Sequence, residues 1–188
     1  MPFQTERLKL RECRRIYKSM ARDFYPDEIK PLWLLLLQRL RGRYDGFICR
    51  HEGEQAGYML FMCDGKGHTL LDYYAIEPAF RAQGYGSAFF RAVCGQLSGL
   101  LLEVEDPAFA LDEADMANRL RRIAFYERNG CAMTGLCSEV VGMHYRIMAG
   151  PQTRLSGPQA HAALQSLYAS MFGGGWVDRY ITMEECSA

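Results

Sequence analysis

The residues with the clearest chemical content lie in LDYYAIEPAFRAQGYGSAFFRAV, positions 71–93. Arg81, Gly84 and Gly86 stand in R-x-x-G-x-G spacing, after a β-rich run ending at Ile76 and before a helical pattern. Glu77-Pro78 forces a turn between the two, because the residue before a proline avoids the helical region. The first turn of a helix has backbone N–H groups with no intrahelical acceptor, and it carries the positive end of the macrodipole. Glycines there let an anion approach the backbone with no Cβ in the way. The pattern therefore predicts a phosphate-binding turn. It is not a P-loop, because Ser87-Ala88 stand where a Lys and a Ser or Thr are required. Nor is it a dinucleotide fingerprint, because Phe89 occupies the place of the third glycine.

The elements that must position this turn are legible around it. Arg7-Leu8-Lys9-Leu10 alternates as a short opening strand. Ile16, Tyr17, Met20 and Phe24 recur at helical spacing, and Pro31 suits the first turn of a second helix running to about Arg41. Residues 44–76 read as three strands with turns at His51-Glu52-Gly53-Glu54 and Asp64-Gly65-Lys66-Gly67, a meander of antiparallel strands. A helix then runs from about Gly86 to Leu97, with Phe89, Phe90, Val93 and Leu97 on one stripe. LLLEVE at 100–105 reads as a buried strand. Another helix follows, with Met116, Leu120, Ile123 and Ala124 on one face, closed by Asn129-Gly130 as a left-handed cap. CAMTGLC and VVGMHYRIM supply two more strands.

Arg81-x-x-Gly84-x-Gly86, between a strand and a helix and behind an antiparallel meander, resembles the signature R/Q-x-x-G-x-G/A of the GNAT superfamily of acyl-CoA-dependent N-acetyltransferases. A second motif stands in register, Phe125-Tyr126-Glu127-Arg128-Asn129-Gly130, similar to that family's FYE-x-x-GF helix ending, with Cys131 where an aromatic usually follows. The element order over residues 5–148 is also similar. Asn118 lies eight residues before Tyr126, one more than the family spacing, and receives no cofactor role. The resemblance implies an α/β fold with a central, largely antiparallel sheet splayed at the acyl-CoA site and helices on both faces. It also implies transfer of acetyl from acetyl-CoA to a primary amine on a small molecule or a peptide. The alternative is a GNAT-fold module that binds acyl-CoA as a sensor without turnover.

Acetyl transfer requires that CoA be held, the amine be neutral, the oxyanion be stabilised and the leaving thiolate be protonated. By the resemblance, the backbone of Tyr74, Ala75 and Ile76 pairs with the pantetheine arm. The turn formed by Arg81, Gln83, Gly84, Tyr85, Gly86 and Ser87 receives the pyrophosphate. Tyr126 matches the tyrosine that protonates the sulfur. Projected at about 100° per residue, it falls about 120° from a stripe centred near Leu120, at the margin between core and solvent. Glu103 resembles a strand glutamate that serves as base in members acetylating ribosomal-protein amino termini. Asp72, which period-two alternation puts on the face of Tyr74 and Ile76, could take that role or orient the amine, and a water-mediated route needs neither. Six carboxylates between 103 and 115 either rim the acceptor site and steer a cationic amine or form a solvated acidic loop beside Arg119, Arg121 and Arg122.

Composition bounds the rest. The chain has 188 residues, 49% hydrophobic and 23% charged, with 22 Lys plus Arg against 22 Asp plus Glu. That length suits one main domain, and the balanced charge gives no basic excess for nucleic acid. The basic opening, Arg7 to Arg22, reads as a solvated helix face. The seven cysteines include no Cys-x-x-Cys pair, and the four histidines sit at no ligand spacing, so no metal site is expected. The longest apolar run, Leu32 to Leu37, is far below a bilayer span. A reduced, cytoplasmic protein without membrane or nucleic-acid partners is expected. After Gly150-Pro151 the composition shifts, which divides the chain into a catalytic domain over 1–150 and an appendage over 151–188. In that appendage Leu164, Leu167, Tyr168, Met171 and Phe172 form an amphipathic stripe, GGG at 173–175 breaks it, and Trp176 to Met183 alternates as a strand. Such a tail must pack, either on the core near the acceptor cleft or against a second subunit as a homodimer.

Overall fold

The computed structural model describes residues 3–26 and 28–186. One mixed sheet of eight strands organises the chain: β1 (Gln4–Arg7), β2 (Tyr44–His51), β3 (Glu54–Cys63), β4 (Thr69–Ile76), β5 (Leu100–Glu105), β6 (Ala132–Val140), β7 (Met143–Ala149) and β8 (Ile181–Glu185). Their spatial order is β1-β2-β3-β4-β5-β7-β6-β8, and every neighbouring pair is antiparallel except β4 with β5. The helices are α1 (Cys13–Asp23), α2 (Leu32–Leu40), α3 (Tyr85–Cys94), α4 (Glu113–Arg128), α5 (Gly157–Phe172) and α6 (Gly174–Tyr180).

Alternation along the strands feeds two apolar layers, one on each face of the sheet. Ile48, Tyr58, Leu60, Met62, Leu70, Leu101 and Ile147 face α1, α2 and α5. Phe47, Met59, Phe61, Leu71, Leu102, Val104 and Met148 face α3 and α4. Period two in the strands and 3.6 in the helices make both layers possible from one sequence. The α/β class with helices on both faces is therefore observed.

Several local expectations require correction. The first strand precedes the alternation at 7–10, because the chain turns into a 3-10 helix at Leu10–Glu12 while Leu8 N–H still bonds Gly46 O at 2.9 Å. The segment from Trp176 to Tyr180 is helical, and only Ile181 onward is strand. Gly173, at φ +90°, ends α5 as expected, and a second short helix starts directly after it. Trp176 then stacks on Phe172 at 4.3 Å and packs near Tyr180 at 5.3 Å, an i,i+4 aromatic ladder that favours helix over alternation.

The segment after Gly150 enters the same core. On α5, Leu164 and Leu167 are fully buried, and Ala160, Ala163, Tyr168 and Met171 lie with them in the layer shared with α1 and α2. The α5 start is a capping box between Ser156 and Gln159, with Pro158 in the first turn. Strand β8 extends the sheet by pairing with β6, Ser138 opposite Met183. Cys186 N–H bonds Gly135 O at 2.8 Å, and Cys137 is joined to Cys186 by a disulfide with a Cα–Cα distance of 5.1 Å. The expectation of a wholly reduced chain is corrected at this pair, which the β6–β8 register brings together. The other five cysteines are free thiols.

Candidate functional site

The glycine turn has the predicted form. Gly84 caps α3 at φ +83°, Ala82 also takes a positive φ, and Ala88 N–H is bonded back to Gly84 O at 3.1 Å. The amides of Tyr85, Gly86 and Ser87 therefore open the helix without intrahelical acceptors. A Cβ on Gly84 would meet nothing within 4 Å, so its glycine serves the left-handed backbone rather than crowding. Gly86 faces inward, where a Cβ would touch Ile76, Phe125 and the Tyr74 hydroxyl at 3.6–3.7 Å.

Side chains brace this turn from below. Tyr74 O–H donates to Gly86 O at 2.6 Å and its ring stacks on Phe89 and Phe125. Tyr85 is buried, its hydroxyl 2.9 Å from His51 Nδ1. Gln83 donates to Ala79 O at 2.7 Å, and Ser87 Oγ accepts from Asn129 Nδ2 at 3.1 Å. Arg81 folds back on β4, its Nε donating to Ile76 O at 2.8 Å, with the guanidinium 3.6 Å from Asp23. The structure thus places Arg81 as a brace on the strand end.

Beside the turn, the sheet opens. β4 and β5 pair only through Thr69–Leu100, Leu70–Leu101 and Leu71–Leu102, whereas β4 stays paired to β3 as far as Ile76. Beyond Leu71 and Leu102 the facing edge of β4, including Tyr74, Ala75 and Ile76, has no strand against it among the described residues. Two carboxylates stand at the apex of this split, each on the residue directly after the last pair: Asp72 on β4 and Glu103 on β5.

Asp72 is on the opposite face from the one expected. Leu60 pairs with Tyr73 but Phe61 pairs with Leu71, so Asp72 is the extra residue of a β-bulge. The bulge inverts the alternation and brings Asp72 to the layer of Tyr73 and Ala75, while Tyr74 and Ile76 belong to the other. There Asp72 accepts from Lys30 Nζ and from Tyr44 O–H, both at 2.6 Å. Burial opposes the Lys30 charge most strongly, but Asp72, Tyr73 and Glu103 together outweigh it and hold the ammonium above its ordinary range.

Glu103 lies on the same face. It accepts from Tyr168 O–H of α5 at 2.6 Å and from Ser138 Oγ of β6 at 3.2 Å. Burial pushes its carboxyl up to about 7, against the opposing pull of Tyr168, Lys30 and Ser138. A carboxylate that titrates near neutrality can take a proton at pH 7 and release it again.

Tyr126 lies on the α3–α4 face and is buried, not marginal, against Phe90 and Phe125. The reason is that α4 buries Arg119, Ile123 and Tyr126, while Met116 and Leu120 are exposed. Arg119 goes inward because Asp115 and Asp106 O receive its guanidinium at 3.1 and 2.8 Å. Apolarity alone could not reveal a stripe built around a paired arginine. Burial raises the Tyr126 hydroxyl above the usual phenol range, so it stays protonated.

The acidic stretch after Glu103 serves the β5–α4 connection. Glu105 pairs with Arg122, Asp106 with Arg146, and Asp112 caps α4 by accepting from Asp115 N–H at 2.8 Å. In the basic opening, Arg7, Arg15 and Arg22 likewise pair with Asp45, Glu12 and Glu77.

Sequence reasoning missed Lys30, Tyr44, Ser138, Asn129 and Tyr168. Only Tyr168 left a signal, a hydroxyl inside an otherwise apolar stripe. A cavity of about 640 Å³ lies at the other end of the sheet, where Arg7 and Arg39 both pair with Asp45. Among the described residues there is no cluster fit for a metal ion, and no helix is long and apolar enough to cross a membrane.

A family model described as "Acetyltransferase (GNAT) domain" matches residues 42–130. A protein from Bacteroides thetaiotaomicron assigned to the GNAT acetyltransferase family superposes with a TM-score of 0.68 at 22% identity, covering 92% of this chain and 99% of that one. The ribosomal-protein-S18-alanine N-acetyltransferase of Escherichia coli superposes at 0.57 and 19% identity, covering 82% and 97%. A ribosomal alpha-N-protein acetyltransferase in complex with coenzyme A superposes at 0.56 and 12% identity, covering 82% and 94%. No curated protein matches the sequence.

Proposed function

We propose that this chain is a GNAT acetyltransferase that transfers acetyl from acetyl-CoA to a primary amine within a ternary complex, a reading supported by the family model over residues 42–130 and by the fold shared with solved acetyltransferases. The observation that carries this reading is the split between β4 and β5, with a carboxylate titrating near 7 at its apex and an amide-lined turn beside it. The residues fit acetyl-CoA: the turn 83–87 offers unshielded amides to a pyrophosphate, and the edge at Tyr74, Ala75 and Ile76, where Arg81 already holds the Ile76 carbonyl, offers its remaining backbone groups to the pantetheine arm. Acetyl-CoA supplies the activated acyl group when bound.

Within this reading Glu103 removes the proton from the acceptor ammonium, and Asp72, held by Lys30 and Tyr44, shapes the pocket on the same face. Tyr126, kept protonated by burial, donates to the departing sulfur from the opposite face. In this reading base and acid act from opposite faces of the sheet. The acceptor is a small-molecule or peptide amine. The presence of Tyr126 in the Phe125–Gly130 motif supports the enzyme over the sensor, because a sensor would not need it.

Calorimetry with CoA, followed by free-thiol release over a panel of amines, tests the reading. Gly84→Glu should abolish CoA binding, because a glutamate is strained at φ +83° and its added charge repels phosphates. Gly84→Asn, which tolerates the left-handed region, should keep most of it. Unchanged CoA affinity in Gly84→Glu would remove the turn from the cofactor site. Tyr126→Phe should bind CoA as before and lose about 10²- to 10⁴-fold in kcat. Wild-type turnover in that variant would reduce Tyr126 to packing.

A further inference from the structure

The α5 helix lies outside the matched family region, yet it reaches the apex of the split. Its Tyr168 is 5% exposed, and the hydroxyl donates to Glu103 at 2.6 Å. The contact bridges 65 positions of sequence, from a helix to the strand residue directly after the last β4–β5 pair. Tyr168 is fixed on its other sides by Phe172 and Trp176, whose rings stack with it at 6.2 and 6.1 Å. Its neighbours Leu164, Leu167 and Met171 anchor the helix in the core. A long, rigid aromatic lever is therefore held with its polar tip on one carboxylate.

We propose that Tyr168 is a positioning residue for Glu103, so that the C-terminal segment completes the proton-accepting half of the site. This rests on the reading of Glu103 as base. The bond can be kept in both charge states of the carboxyl, but the phenol donates more strongly to the ionised form. It thereby aims the carboxylate and holds its titration lower than burial alone would. The other groups facing Glu103 are Ser138 of β6, Tyr145 of β7, Asp72 of β4 and Lys30 from the segment before α2. Among them Lys30 and Ser138 pull the titration down and Asp72 pushes it up. Lys30 already has a carboxylate partner in Asp72, and of the two hydroxyls that donate to Glu103, Tyr168 makes the shorter bond, 2.6 Å against 3.2 Å from Ser138.

The test is the titration of the Glu103 carboxyl, followed by ¹³C NMR in the full chain, beside the pH profile of kcat/KM. Tyr168→Phe keeps the ring and its stacking and removes only the hydroxyl. It should move the Glu103 midpoint up by about one pH unit, and the acid limb of activity with it. Below that limb the rate should fall about tenfold, and above it the rate should recover. Leu167→Ala, which removes buried packing one residue away, should lower the melting temperature and leave the midpoint in place. An unmoved midpoint in Tyr168→Phe overturns the inference. The NMR arm stands without activity: if the midpoint moves but no acid limb follows it, Tyr168 still positions Glu103 and the reading of Glu103 as base is the one that fails.

Discussion

Glu103→Gln should lose about 10²- to 10⁴-fold in kcat/KM, with the acid limb near pH 7 gone from what remains. The same change should stabilise the fold, and only at higher pH. The Glu103 carboxyl sits at about 7 in the folded protein because burial disfavours its charge, against an ordinary value of 4.5. A group whose folded pKa is raised contributes fully below the unfolded value, and that contribution drains away as pH rises through the folded one. Glutamine carries no charge to bury. The melting temperatures of the two proteins should therefore be similar near pH 4.5 and diverge through pH 7, with the variant higher. A variant that keeps turnover would remove Glu103 from proton transfer, and one that gains nothing at pH 8 would show that burial does not raise its titration.

Removing 151–188 should leave a chain that does not fold. Leu164, Leu167, Tyr168 and Met171 each hide a large side chain, and full burial of each contributes about 1.5–3 kcal/mol. Their loss is on the order of 10 kcal/mol, comparable with the whole stability of an ordinary domain. Truncation also bares the outer edge of β6 and the sheet face under α5. Sedimentation and thermal unfolding of the truncated chain are the measurements. A soluble monomer with an unchanged melting temperature would show that the segment is an ornament. We propose on this basis that 1–150 and 151–188 work as one unit even though only the first part carries the family's motifs.

The two halves of the site differ in how far the sequence discloses them. The glycine turn is legible because its demands are local: a proline-bounded strand end, a positive φ at Gly84 and a helix start all lie within ten positions. The strand meander over 44–76 is legible for the same reason, since its turns are written in Gly and Asp. The apex carboxylates are legible as residue types but not as a pair. One bulge at Asp72, invisible to a rule of strict alternation, decides which face that carboxylate serves. The partners of Glu103 come from β6 and α5, 35 and 65 positions away, and no local pattern records such a meeting. Tyr126 shows a third kind of failure. Its burial follows from Arg119 turning inward onto Asp115 and Asp106, where hydropathy assigns an arginine to solvent.

The Cys137–Cys186 bond turns the C-terminal part of the chain into a covalent ring. The two sulfurs span 49 positions, a circuit that takes in β7, α5, α6 and β8. In the entropic account, closing a loop of that size removes about 4 kcal/mol of disorder from the unfolded chain. Topology adds something energy does not. A single backbone cut anywhere on the circuit, in the exposed stretch before α5 for instance, would open the ring without releasing a piece. The helix that carries Tyr168 would remain leashed to β6 by sulfur alone, and could find Glu103 again as an intramolecular event rather than a dilute encounter.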